Sequence, residues 1–387
     1  MKTTTVRRLR WGVPFVAGAA VAAAAVLPGV AAGSDHPVLP ARSATQLLTD
    51  LLALKPPALS GTIVETARLG LPQLPSTGNG AADLSWQNLV TGSHTARVWL
   101  DGSDRQRVAL VGDLAESDVV HNGTQVWIYS SSANQATHLS VPAALKSSAE
   151  KSVQSKTLLT PGQAAAQALA AITPTTKVSV DDTARVAGRA AYQIVLAPRD
   201  ARSLVTSVSI ALDSQTYVPL RVRVYGRDLA TPALETTFTD ITFARPPGSV
   251  FAFIPPTGAK VTQATLGEVL SGRQSWAANG TAGPGQLVQP LPGSKSATGD
   301  KTAGTKTIGS GWTEVVVTDG TALTGLGAGS RAGQLTGLLL RSATRVPNGL
   351  LIRTALLSFL LTDDGRLYVG AVDGASLQKV ASTGQPL

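Results

Sequence analysis

After residue 58 this chain is built from short runs in which apolar and polar side chains alternate, punctuated by Gly, Asp, Asn and Pro. Period-2 alternation marks β-strands, because successive side chains point to opposite faces of a sheet. The runs fall at 61–68, 93–101, 105–111, 117–121, 125–130, 136–141, 177–186, 189–196, 204–212, 217–225, 234–243 and 250–254. Connections such as 102–104, 112–113 and 122–123 are too short for anything but antiparallel neighbours. About eleven strands in this order predict a strongly curved sheet or partial barrel. Asn122-Gly123 is expected at the centre of a two-residue hairpin turn, with positive φ at both positions.

Helical spacing is scarce. Leu47, Leu48, Leu51, Leu52 and Leu54 make one stripe over 43–54, and Pro56-Pro57 stop it. Thr160-Pro161 is a plausible cap and first position for a short helix over 160–172. The segment 71–80 reads as a Pro/Gly loop, and 272–307 reads as a flexible linker of small and polar residues. A smaller α+β module follows over 308–387. Its strands are expected at 314–317, 356–361 and 366–372, with a hairpin signal at Asp363-Asp364-Gly365 and a last helix over 375–381. The fold class is therefore mainly β with some α, and the principal domain is expected over 38–262.

The absence of cysteine among 387 residues removes disulfides, thiolate metal sites and thiol catalysis. Lys2, Arg7, Arg8 and Arg10 precede a small-residue apolar stretch at 11–26. Val30-Ala31-Ala32 then offers a cleavage site before Gly33. Residues 1–32 are read as an export signal or, if retained, an anchor, and either places the body outside the cytoplasm. Without those four basic groups the +9 chain keeps 29 basic and 24 acidic residues, a net +5 with no block of like charge. No basic stripe is interleaved with aromatics, so nucleic acid is not an expected partner.

Catalytic signals are poor. His36, His94, His121 and His138 lack a second ligand at metal-binding spacing, and no nucleophile elbow or phosphate loop is present. Asp181-Asp182 and Asp363-Asp364 fit solvated turns. Asn122-Gly123-Thr124 and Asn279-Gly280-Thr281 match glycosylation sequons but are ordinary small polar turn sequences. Neither an enzyme nor a cofactor site is expected. What remains is apolar surface on strands: Trp86, Trp99, Trp127, Tyr129, Tyr192, Tyr217, Tyr225 and Phe238 lie on a sheet that a few short helices scarcely cover. Such a strand face either packs into the core or lines a cavity.

Particular segments resemble a known family. Residues 118–137 (DVVHNGTQVWIYSSSANQAT) resemble a hairpin of the LolA/LolB–RseB (MucB) superfamily. Residues 251–261 (FAFIPPTGAKV) resemble its closing strand, Leu59-Ser60-Gly61-Thr62 its first, and Ala96-Arg97-Val98-Trp99-Leu100 the next. These matches keep the family order across 43–262. The resemblance implies a half-open antiparallel barrel closed by helices over an apolar cavity that holds lipid or lipoprotein acyl chains. The extra C-terminal module resembles the layout of RseB-like regulators, which implies an alternative partner, a membrane anti-sigma factor or transporter. One departure stands out. The family's Arg-Pro turn, whose arginine latches the helical lid, is replaced by Asp101-Gly102-Ser103-Asp104, with the first arginine at Arg105.

The expected site follows. A monomer lines its cavity with Trp99, Leu110, Trp127, Tyr129, Ile194 and Leu196, under a lid helix carrying Leu47, Leu48, Leu51 and Leu52. Its mechanism is burial alone, about 0.8 kcal/mol per methylene.

Overall fold

The computed structural model describes residues 37–71, 91–140, 175–264, 306–320 and 341–387, apart from 53, 55, 113 and 114. The expected export signal, the 71–80 loop, the 160–172 helix and most of the 272–307 linker lie outside the described residues, as does Trp86.

A helix, α1 (Ala44–Leu52), precedes the strands β1 (Leu59–Arg68), β2 (Thr91–Asp101), β3 (Arg105–Val111), β4 (Glu116–Asn122), β5 (Gln125–Ser130) and β6 (Gln135–Ser140). Then come β7 (Thr176–Val186), β8 (Arg189–Pro198), β9 (Val205–Asp213), β10 (Pro219–Gly226), β11 (Leu234–Thr242) and β12 (Lys260–Ala264). These twelve strands form one curved sheet in the order β12-β6-β5-β4-β3-β2-β1-β11-β10-β9-β8-β7. It is mainly antiparallel, as the short connections require, and it is not closed into a barrel. Two meanders, β2 to β6 and β7 to β11, are joined where β1 pairs with both β2 and β11. Irregular register occurs at Thr62/Ile63, at both ends of the β9–β10 pairing and near the β7 end, and such irregularities increase local twist.

Three expectations need correction. The 250–254 run is not a strand. Pro246, Pro247, Pro255 and Pro256 flank it, and proline supplies no ladder N–H. The chain there makes a 3-10 turn at Gly248–Phe251 and continues as an irregular strap. Second, the closing strand expected over 251–261 is replaced by β12, which runs parallel to β6 from Lys260↔Gln135 to Ala264↔Leu139. In the third case, Asn122 pairs with Gln125 across the β4–β5 hairpin, so the two turn residues are Gly123 and Thr124. Only Gly123 has positive φ, +65°, which fits a turn that takes Gly at its first central position.

The second body is a six-stranded sheet in the order β13-β14-β18-β17-β16-β15. Its strands are β13 (Lys306–Ile308), β14 (Val315–Asp319), β15 (Thr344–Val346), β16 (Gly349–Arg353), β17 (Ser358–Thr362) and β18 (Arg366–Gly370). The hairpin at Asp363-Asp364-Gly365 forms as expected, with Gly365 at φ +81°. The last helix, α2 (Gly374–Thr383), is capped by Asp373, whose carboxylate accepts from the Ser376 N–H at 2.8 Å, and it ends on Gly384 in the left-handed region. Leu377 and Val380 of α2 join Val315, Leu351, Leu360 and Tyr368 in this body's own core. Strands β13, β15 and β16 escaped the sequence pattern because each is three to five residues long.

The two bodies are bonded backbone to backbone. The Leu204 N–H donates to the Ala371 carbonyl at 2.8 Å, and the Ala355 N–H to the Leu69 carbonyl at 2.9 Å. The Trp312 indole N–H donates to Thr176 Oγ1 at 2.7 Å. Gly226 makes room for this contact: a Cβ there would meet the Ala355 carbonyl oxygen at 2.7 Å.

Candidate functional site

Cross-strand pairs sort the twelve-stranded sheet into two faces. Ile194 pairs with Ile210, Ile210 with Val222, Val222 with Thr236, Thr236 with Glu65 and Glu65 with His94. Two residues along β2 from His94, on the same side, Ala96 pairs with Leu110. Leu196 lies two residues from Ile194 and pairs with Val208. Ile194, Leu196 and Leu110 thus share one face, and all three are fully buried. Leu47 and Leu51 of α1 pack against Tyr192, Ile194, Leu196 and Ile210, so this is the helix face. The side chains of Leu48 and Leu52 lie outside the described residues. From the second body, Trp312, Leu356 and Ala371 pack against the same cluster.

The other three expected lining residues point the opposite way. A straight row crosses five strands as Trp99, Arg107, Val120, Trp127 and His138, and the next row carries Asp118 opposite Tyr129. The strap that follows β11 lies over this surface. Arg245 pairs with Asp101 at 2.9 Å, and the Val250 carbonyl accepts from Arg107 Nη1 at 3.4 Å. The Phe251 carbonyl accepts from the Asn122 side-chain amide at 3.3 Å. Phe253 sets its ring 5.4 Å from that of Trp127 and 5.7 Å from that of Tyr129. Trp127 also stacks on His138 at 4.2 Å, and the Arg107 guanidinium lies 5.4 Å over Trp99. On this strap face the aromatics are half-buried against the protein's own chain.

The strap face is held by charge. Arg107 grips the buried Asp118 carboxylate through two bonds of 2.9 and 3.0 Å. Glu116, beside it, is pushed upward in pKa by burial and then by Asp118. Asp101, nearly buried, pairs with both Arg105 and Arg245. Asp101, at the start of the β2–β3 turn, therefore anchors the strap through Arg245.

The helix face carries polar side chains on β3 to β6, among them Gln106, Ser117, His121 and Thr137, and on β1 and β2. Glu65 on β1 stands between Thr236 and His94, and burial pushes its carboxyl up to about 7. Sequence reasoning missed Glu65. The available signal was its place in the alternating row of Leu59, Ile63 and Ala67, all buried. Arg245, Phe251 and Phe253 were missed as a strap because the run was read as a strand.

Residues 83–263 match the family described as predicted periplasmic protein (DUF2092), which agrees with the extracytoplasmic location expected from the N-terminus. No curated protein matches the chain. Among solved structures, the MucA/MucB complex of Pseudomonas aeruginosa is similar at 17% identity, covering 87% of this chain and 96% of that one, with a TM-score of 0.42. A LolA superfamily protein from Nitrosomonas europaea is similar at 12% identity over 55% of this chain and 99% of its own, with a TM-score of 0.24. A putative outer membrane lipoprotein-sorting protein domain from Vibrio parahaemolyticus covers 51% of this chain and 90% of its own at 11% identity, with a TM-score of 0.21.

Proposed function

We propose that this chain is a non-catalytic extracytoplasmic binding protein that holds a lipid or lipoprotein acyl chain on the helix face of its large sheet. The observation that carries the reading is the division of surfaces. Leu110, Ile194 and Leu196 share an apolar face, on which α1 packs over Ile194 and Leu196, whereas the aromatic face is occupied by the protein's own strap. The expected lining set therefore narrows to Leu110, Ile194 and Leu196, with Leu47 and Leu51 as the lid.

Magnitudes favour an exchangeable lid. α1 has nine residues, too few for an isolated helix to persist in water. Its hold on the sheet through Leu47 and Leu51 is about 2 kcal/mol for each buried leucine. A fourteen-carbon acyl chain gains about 8–10 kcal/mol on burial, enough to displace those two side chains. Native mass spectrometry after gentle purification, with displacement of an acyl fluorophore, tests the proposal. A co-purified lipid, or saturable displaceable binding, supports it, and absence of both overturns it.

A second reading is a regulatory module that grips a membrane protein such as an anti-sigma factor or transporter. It is favoured by the second body, which is joined to the edge of the helix face by backbone hydrogen bonds. Cross-linked partners recovered from membranes with the parent but lost with Gly226→Leu would support it, and an unchanged set would remove it.

A further inference from the structure

The helix face contains one place where polar atoms have no partner. Glu65 on β1 lies directly opposite His94 on β2, and both Glu65 Oε2 and His94 Nδ1 are buried without a hydrogen bond. His94 is 94% buried. Its Nε2 lies 2.8 Å from the Thr91 carbonyl, which only accepts, so Nε2 carries a proton and Nδ1 is the ring nitrogen left without a partner. Unpaired buried polar atoms are rare because each forfeits its bonds to water. Two of them, on residues paired directly across adjacent strands, call for one shared partner.

Their surroundings restrict the chemistry of that partner. The register neighbours on this face are Ile63, Ala67, Ala96, Leu110, Leu234 and Thr236. No Lys or Arg occupies this face in β1, β2, β3, β10 or β11 among the described residues. An anionic headgroup would find no counter-charge there. A cation would meet a carboxyl that burial keeps partly protonated at neutral pH, and would forfeit its own hydration. A hydroxyl or amide both donates and accepts, which is what the imidazole lone pair and the carboxyl together require.

We propose that Glu65 and His94 form a polar anchor for the uncharged, hydroxyl- or amide-bearing headgroup of the acyl ligand. The inference rests on the acyl-binding reading above and adds the class of headgroup. A ligand hydroxyl donates to His94 Nδ1 and accepts from the protonated Glu65 carboxyl, while its hydrocarbon tail runs over Ala96 and Leu110.

The test uses the full chain and three fourteen-carbon probes at pH 7: 1-monomyristoylglycerol, myristate and myristylamine, each displacing an acyl fluorophore. The monoacylglycerol is expected to bind about tenfold more tightly than either charged probe, the ratio worth about one well-made buried hydrogen bond. Glu65→Met and His94→Phe, each singly, are expected to reduce that advantage to about threefold or less. If no probe binds the parent protein, the acyl-binding reading itself fails. Equal binding of all three means that water alone satisfies the pair and overturns the anchor, leaving the acyl reading standing. Tightest binding of the amine, or a preference that survives both substitutions, also overturns the anchor. The headgroup series needs no variant, so a substitution that prevents folding leaves the proposal decidable.

Discussion

The two faces of the large sheet solve the same problem in opposite ways. Both bury apolar side chains across β2 to β6, where β4 is buried at five consecutive positions. The strap face brings its own cover. Phe251 and Phe253 arrive on a proline-flanked segment pinned by Arg245, Asn122 and Arg107, and the buried carboxylates Asp101 and Asp118 are each met by an arginine. Among the described residues the helix face is covered by a nine-residue helix and by the docked second body, and Glu65 Oε2 and His94 Nδ1 are left without a hydrogen bond. A surface finished by its own chain is scaffold. A surface with unsatisfied buried polar atoms is where a ligand has something to contribute.

The contrast is broken most severely on the strap face. Asp118→Ala leaves the Arg107 guanidinium without its two bonds, and destabilisation of about 3 kcal/mol is expected in urea unfolding, with acyl binding by the folded fraction unchanged. Loss of binding in the folded fraction would contradict the assignment of faces.

On the helix face the largest expected effect depends on pH. In the unfolded chain Glu65 loses its proton near the ordinary value of about 4.3, but in the fold only near about 7. Between those values the fold binds the extra proton, so the parent loses stability as pH rises across that window. Glu65→Gln is expected to be more stable than the parent by up to about 3 kcal/mol at pH 8 and indistinguishable at pH 4, as read by thermal melts. Equal melting at both pH values would show that the carboxyl is not buried.

Smaller effects sharpen the account. Phe253→Ala is expected to cost about 2 kcal/mol, less than a fully buried Phe would, and to move Trp fluorescence to the red as Trp127 gains solvent. Asn122→Ala removes one long bond to the strap and is expected to cost about 0.5–1 kcal/mol, with no change in fluorescence.

Most of the fold was legible in the sequence. Alternation and the turn residues between runs placed the strands β1 to β11 to within a few residues at each end, because each is long enough to stand out between its turns. The leucine stripe placed α1. Two kinds of feature were not legible. The strap carries an apolar run that resembles a strand, and only the four flanking prolines argue otherwise. β12, whose pairing spans more than a hundred residues, left no local mark. The proposed site was legible only as residue type. Residue type picked out Trp99, Trp127 and Tyr129 as readily as Leu110, Ile194 and Leu196, but which row faces which way is set by cross-strand register, and no single strand encodes it.

The central claim is that hydrocarbon is held on the helix face. A photoactivatable acyl probe, bound to the full chain and cross-linked, followed by peptide mapping, tests it directly. Adducts are expected on the helix-face residues of β2, β3 and β8, around Ala96, Leu110, Ile194 and Leu196, and on α1. Adducts confined to Trp127, Tyr129 or Phe253, or none at all above an uncompetable background, would contradict it.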